Sequence, residues 1–315
     1  MYDSNFSSPR IFSDSWEDYI RPGHFDSLYT AVLDSTIVNN ISLRENGPLL
    51  STHWGQNAPW NSAMPYKDST MTSHCYAGCV PVSAGQVLYY LHDKFNNPPT
   101  SHSYAECNKY IPANQNYITV SSSEASFYDP SYTHWEDMAL NNTYNDGFDE
   151  VSALLLKLGV LYNAKYYRTG TGAATPLATT VFPEFNITCQ CDTILNINQL
   201  VGVCDMDIYD QNLPLIMSIV DTTYGGHAVV IDGYKYSHDE VTSYFTLYDA
   251  NQQPVFNYIS IPTTEESHFV TINWGWNGAY DSTSQNVCWY NLFTDWIVSY
   301  YNFSYKRYIV HNFES

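Results

Sequence analysis

The apolar residues of this 315-residue chain change their spacing once, and that change limits its fold more than any other feature. Before about residue 162 they recur with a helical period in two stretches. Val80, Ala84, Val87, Leu88 and Leu91 stand at i, i+4, i+7, i+8 and i+11, one face of a helix. Pro81 fits only in a first turn, so this helix starts near Gly78-Cys79. Val151, Leu154, Leu155 and Leu158 predict a second helix over about 148–162, followed by the flexible run Thr169-Gly170-Thr171-Gly172-Ala173. From residue 214 the text becomes that of strands. Segments 214–220, 227–234, 244–248, 254–261 and 269–274 are short, β-branched or aromatic, and separated by turn residues. Helices first and strands afterwards argue for an α+β fold rather than a βαβ repeat, in one large domain or two lobes sharing a cleft.

Residues 1–47 differ from the rest. Ser, Asp and Asn dominate, Pro9 and Pro22 punctuate, and only 28–37 carries a short apolar period, which is read as one helix in an extension ahead of the main domain. The first thirty residues lack the charged start and apolar stretch of a signal peptide, so the chain is either cytosolic or has lost a signal. No run approaches the ~18 apolar residues of a membrane helix.

Twelve Lys and Arg against 32 Asp and Glu give a net charge of −20, too few cations for a phosphate-binding surface or a basic membrane-surface helix. With 44% hydrophobic and only 14% charged residues the chain has ample apolar surface to fold. Neither a nucleic acid nor a membrane span is expected. Cysteines stand at 75, 79, 107, 189, 191, 204 and 288; an odd count leaves at least one thiol free.

Cys79 is the most telling of them. A cysteine at a helix N-terminus sits beside unpaired backbone N–H groups and the positive end of the dipole, which favour the nucleophilic thiolate. A nucleophile also needs a base. His227 follows Gly225-Gly226 and opens the apolar strand Ala228-Val229-Val230-Ile231, where it can face a cleft. Taken singly, each residue has a plainer reading: a buried thiol and a satisfied strand-edge histidine. Together, one in the helical half and one in the strand half, they are how two-lobed thiol hydrolases build a site.

Four blocks extend this pair. They are Trp54-Gly55-Gln56 with Pro59-Trp60-Asn61, Gly78-Cys79-Val80 with Gln86, Gly225-Gly226-His227 through Gly233, and Asn273-Trp274-Gly275-Trp276-Asn277-Gly278. In order and spacing they resemble the streptopain-like cysteine peptidases over about residues 49 to 300. The resemblance implies a papain-like, two-lobed fold with a helical N-terminal lobe and an antiparallel β-rich C-terminal lobe. It also implies endopeptidase hydrolysis of protein or peptide substrates with no cofactor or metal. By position Cys79 matches the nucleophile, His227 the general base, and Gln56 the side-chain oxyanion donor beside the Cys79 N–H. Asn273 and Trp274 match residues that orient or shield the histidine, and Thr171 and Gly226 fall where the family contacts substrate.

The chemistry suits these residue types. A thiolate and an imidazolium stabilise one another. Two uncharged donors near the tetrahedral oxyanion are each worth roughly 3 kcal/mol of barrier. Residues 1–48 are read as an N-terminal extension or propeptide remnant and 49–315 as the papain-like peptidase domain, secreted or at the cell surface. An inhibitory propeptide or inhibitor protein is then a partner, and the chain a zymogen if its leader fills the cleft. Two departures stand out. Pro81-Val82-Ser83 follows where the family has smaller residues, and about forty residues separate Gly233 from Asn273, which predicts an extra hairpin.

Three rival readings use other logic. His74, Cys75 and Cys79 could begin a zinc site, although neither Cys189/Cys191 nor a His pair supplies the second ligand pair. A cell-wall amidase would use the same Cys/His chemistry. A catalytically weak or inactive surface binding module on the same fold would have little reason to keep Cys79, His227 and Gln56 together.

Overall fold

A computed structural model describes residues 30–95, 104–128, 135–144, 146–259, 262–282 and 287–315. Its first half runs through strand β1 (Thr30–Asn46), helix α1 (Cys79–Phe95), short strands β2 (Tyr104–Glu106), β3 (Tyr117–Ile118) and β4 (Ser126–Tyr128), and helix α2 (Phe148–Leu161). Strands β5 (Lys165–Tyr167) and β6 (Thr171–Gly172), the one-turn helix α3 (Ala178–Val181), strand β7 (Thr188–Thr193) and helix α4 (Ile197–Val203) follow. Then come the strands β8 (Leu215–Asp221), β9 (Gly225–Tyr248), β10 (Pro254–Ile259), β11 (Thr263–Asn273), β12 (Tyr290–Asn291), β13 (Trp296–Val298) and β14 (Tyr301–Glu314). The protein is α+β and rich in strands, as the change of period implies. Among the described residues no helix is long and apolar enough to cross a membrane.

The chain folds into two compact units. The larger comprises Leu43–Ser237 and Ser267–Ser315. Its sheet has the order β12-β11-β9-β8-β14-β13, with β7 also on β14. Strand β8 pairs antiparallel with β9 from Leu215↔Ile231 through Ile219↔His227 to Asp221↔Gly225. Both faces are buried. Ile216, Ala228, Val230 and Val310 join the core of α1 and α2, where Val87, Leu88, Leu154 and Leu158 lie. The alternate residues Met217, Ile219, Val229, Ile231 and Ile309 face the other way, onto Val270, Ile272, Trp274 and Phe303. That double burial explains the nearly unbroken apolar text of β8 and early β9, since each such side chain removed from water contributes about 1.5–3 kcal/mol.

The smaller unit, Met1–Ser42 with His238–Glu266, is described from Thr30. It contains the predicted hairpin: β10 turns back on β9 from Pro254↔Tyr248 to Ile259↔Tyr244. Segments 227–234 and 244–248, expected as separate strands, are one continuous β9. Strand β1 also pairs with β9, and the Thr246 hydroxyl lies 2.5 Å from the Asp34 carboxylate. The helix expected over 28–37 is therefore corrected to a strand from Thr30 onward; its first two residues lie outside the described set. Thr30, Val32, Thr36, Ile37, Val38 and Ile41 are β-branched, and a neighbouring strand to pair with outweighs a weak helical period.

Candidate active site

Gly78 sets the start of α1. Its φ of +99° is left-handed, and a Cβ there would lie 2.9 Å from Cγ2 of Thr171, so glycine fits on both counts. The Gly78 carbonyl accepts the Val82 N–H at 3.1 Å, closing the first turn and making Cys79 the first helical residue. Thr171, at the head of β6, is held by its hydroxyl, which donates to the Tyr76 carbonyl at 2.6 Å. The Ala77 N–H donates to the Gln56 carbonyl at 2.8 Å, so Gln56 is tied to the chain two residues before Cys79. Its side-chain amide has no hydrogen-bond partner among the described residues and remains available to a ligand.

His227 lies near the start of β9. Its Nε2 is 2.9 Å from the Trp274 carbonyl. A carbonyl only accepts, so Nε2 carries the proton and a neutral ring keeps its lone pair on Nδ1. Trp276 stacks on the ring with centroids 5.0 Å apart, and Phe303 lies 6.0 Å away in a nearly parallel plane. Gly226, one residue earlier, borders open space: a Cβ there would meet nothing closer than 3.8 Å.

Cys79 and His227 come together through the backbone. The Ala228 N–H is a hydrogen-bond donor to the Cys79 sulfur, which places that sulfur against the residue following His227. Among the described residues no direct Cys79–His227 hydrogen bond forms. Both residues keep some accessible surface, but their titrating atoms are deep enough that loss of water dominates. Burial pushes the Cys79 thiol up, against the pull of the backbone N–H groups, and lowers His227 to about 4. Both shifts run against the expected thiolate–imidazolium pair, because a desolvated site penalises both charges.

Asn273 makes no hydrogen bond to the histidine among the described residues. Its amide donates to the Thr52 carbonyl at 2.7 Å and lies 3.1 Å from the Gln86 side-chain oxygen, while its own oxygen accepts from Gln86 and from the Gly275 N–H. Gln86, buried in α1, also accepts the Trp54 N–H at 3.1 Å, so the two amides join the helix, residues 52–54 and the turn after β11. Trp274 is wholly buried and reaches His227 with its backbone; the side chain that covers the imidazole is Trp276. Residues 274–281 are further fixed by Asn277, whose Oδ1 accepts from Trp60 Nε1 and whose N–H donates to the Trp54 carbonyl at 3.3 Å. Gly55 permits this closeness: a Cβ there would lie 2.1 Å from Asn277 Oδ1.

Gln86 and Trp276 stand inside the blocks that carried the family resemblance but had no role assigned. Phe303, His53 and Asp281 had no sequence signal. The zinc reading does not survive the geometry. His74 Nδ1 bonds the Met64 carbonyl at 2.6 Å, Cys75 is buried, and among the described residues no group of three His, Cys, Asp or Glu side chains could hold an ion.

Among solved structures the chain is similar to a fragment of prointerpain A from Prevotella intermedia carrying a cysteine-to-alanine substitution, with a TM-score of 0.52 and 21% identity, covering 88% of this chain and 75% of that one. That likeness is one of fold. No curated protein matches. The family model described as the Peptidase C10 family matches residues 54–283, from the Trp54 loop to just past Asp281. The chain therefore belongs to the Peptidase C10 family, the streptopain family that its four sequence blocks resemble.

Proposed function

We propose that this chain is a cysteine-type endopeptidase that hydrolyses protein or peptide substrates through Cys79 and His227, with a papain-like, two-lobed peptidase domain over 49–315. The observation that carries the reading is the Cys79 sulfur at the start of α1, against the N–H of the residue next to His227. As sulfur attacks the peptide carbonyl carbon, its proton passes to Nδ1 of His227 and the carbonyl electron pair moves to oxygen. The Cys79 N–H and the Gln56 amide receive that oxyanion. Collapse breaks the C–N bond, the imidazolium protonates the leaving amine, and a thioester remains. Water, deprotonated by the same nitrogen, hydrolyses it and the proton returns to sulfur. Starting from neutral groups keeps charge separation to the moment of attack, and hydrogen bonds of this kind often tighten only when substrate binds.

Trp274 orients the histidine through its carbonyl, and Asn273 holds the turn that presents it. Thr171 and Gly226 border the place where substrate lies. Residues 1–48 are an N-terminal extension or propeptide remnant. N-terminal trimming on incubation, with activity rising in step, is the expected mark of a zymogen; full activity from the start without trimming removes that part. The net charge of −20 suits a secreted or cell-surface hydrolase.

A peptide-like epoxide tests the whole reading. It should label Cys79 in the reduced, folded protein and leave Cys79→Ala unlabelled. No labelling at Cys79 overturns the peptidase reading.

A further inference from the structure

His53 and Asp281 take no part in the steps above, yet their hydrogen bonds lead to His227. Asp281 is buried, and two groups converge on its carboxylate. Nδ1 of His53 is 3.0 Å from Oδ2, and the Trp274 backbone N–H donates to Oδ1 at 2.7 Å. A carboxylate only accepts, so Nδ1 of His53 carries the proton. Trp274 then presents its carbonyl to Nε2–H of His227 at 2.9 Å. The far end of the same turn rests on His53 too. The Asp281 N–H donates to the Gly278 carbonyl at 3.3 Å, and a Cβ on Gly278 would lie 3.4 Å from Cβ of His53.

The titratable groups facing His53 are Asp281 and the buried Asp232, and those facing Asp281 are His53 and Asp232. The hydrogen bond that His53 donates to Asp281 raises the His53 pKa above its ordinary value, while burial raises that of Asp281. A carboxylate at this depth without that donor would be uncompensated, and the turn would shift to find another partner.

We propose that His53 and Asp281 are a positioning pair: by clamping Trp274 they fix the carbonyl that holds His227, so that Nδ1 stays aimed as the base. This rests on the reading of Cys79 and His227 as nucleophile and base. The pair touches no reacting atom, and its effect should fall on turnover rather than on substrate binding.

The test uses the full chain, labelled with ¹⁵N in histidine, as wild type, His53→Leu and His53→Asn. In the wild type the Nε2–H of His227 should give a ring N–H signal protected from exchange with water. In His53→Leu that signal should be lost and kcat should fall by about 100-fold, with KM within about twofold. Asparagine can donate to Asp281 from the same position, and His53→Asn should restore the signal and most of kcat. Wild-type signal and kcat in His53→Leu overturn the proposal, as does a fall in kcat with the signal intact or a failure of asparagine to rescue. Should His53→Leu not fold, Asp281→Asn carries the same two readouts, and a wild-type signal there overturns it equally. Cys79→Ala, assayed alongside, judges the nucleophile: activity surviving in it defeats that reading. The protected signal of His227 judges the pair whether or not the chain cleaves peptides.

Discussion

Trp276 lies over the imidazole of His227, with ring centroids 5.0 Å apart and planes 27° from parallel. It is part of what keeps water from a ring whose pKa burial has lowered to about 4. Replacing it by alanine readmits water, which favours the charged form and moves the pKa up toward its ordinary 6.5. The acid limb of the kcat/KM profile should then move to higher pH, with activity at pH 5 falling by about tenfold. A profile unchanged in Trp276→Ala would mean that other groups desolvate the ring.

The raised thiol of Cys79 makes a related prediction. Burial holds its pKa above the ordinary value, so the thiolate fraction is small at neutrality and grows with pH. Alkylation of the free enzyme by a small neutral reagent should therefore accelerate steadily from pH 6 to 9. A rate plateau reaching down to acid pH would instead mark a standing thiolate–imidazolium pair. Cys79→Ala should lose peptide hydrolysis by at least about 10³-fold.

Gln56 is tied by its carbonyl to the Ala77 N–H, and in the proposed mechanism its side chain serves the oxyanion. Gln56→Ala should lower kcat by about 10²- to 10³-fold with KM little changed, the pattern of a donor engaged in the transition state. An equal rise in KM would show that Gln56 binds substrate in its ground state.

Asp232 links stability to pH. It accepts from the Thr271 hydroxyl at 2.7 Å, and burial, the largest influence, raises its pKa from 3.8 to about 7. Between those two values the folded chain holds a proton that the unfolded chain has released. This group therefore adds stability as pH falls from about 7 toward about 4, and that contribution is lost as pH rises through 7. Urea midpoints measured across this range should vary less with pH in Asp232→Asn than in the wild type.

Gly55→Ala should disturb the junction of two loops. The new methyl would collide with Asn277 Oδ1, the acceptor of the Trp60 indole N–H. A loss of about 1–3 kcal/mol in thermal or denaturant unfolding is expected, together with reduced kcat. Wild-type stability would show that Asn277 can swing aside.

The sequence made some parts of this structure legible and hid others for identifiable reasons. Helix α1 could be read because Val80, Val87, Leu88 and Leu91 are buried on one face and Pro81 marks its start. Strand β8 and the first part of β9 could be read because both faces are covered and the apolar run is continuous. Strand β14, which pairs with β7, β8 and β13, was not. Its pairing with β8 shifts register between Phe303 and Tyr305 and again between Lys306 and Tyr308, so no single alternation runs along it. In the site, Cys79 and His227 were visible as residue types at telling positions. The bond between His53 and Asp281 spans 228 positions and joins two common residue types, so local spacing carries no trace of it. The family resemblance puts Asn273 among residues that orient or shield the histidine, and its hydrogen bonds run to Gln86, Thr52 and Gly275, partners that no local pattern indicates.

All seven cysteines are free, and none is joined to another. Burial raises Cys75 to about 11 and Cys189 to about 12, which leaves them almost entirely as inert thiols at physiological pH. No cystine cross-link braces this fold, so the redox state of the surroundings has no covalent purchase on its architecture. A reductant strong enough to keep Cys79 competent can be added without loosening the molecule. In an oxidising medium, damage at Cys79 should silence the protein while its melting temperature barely moves.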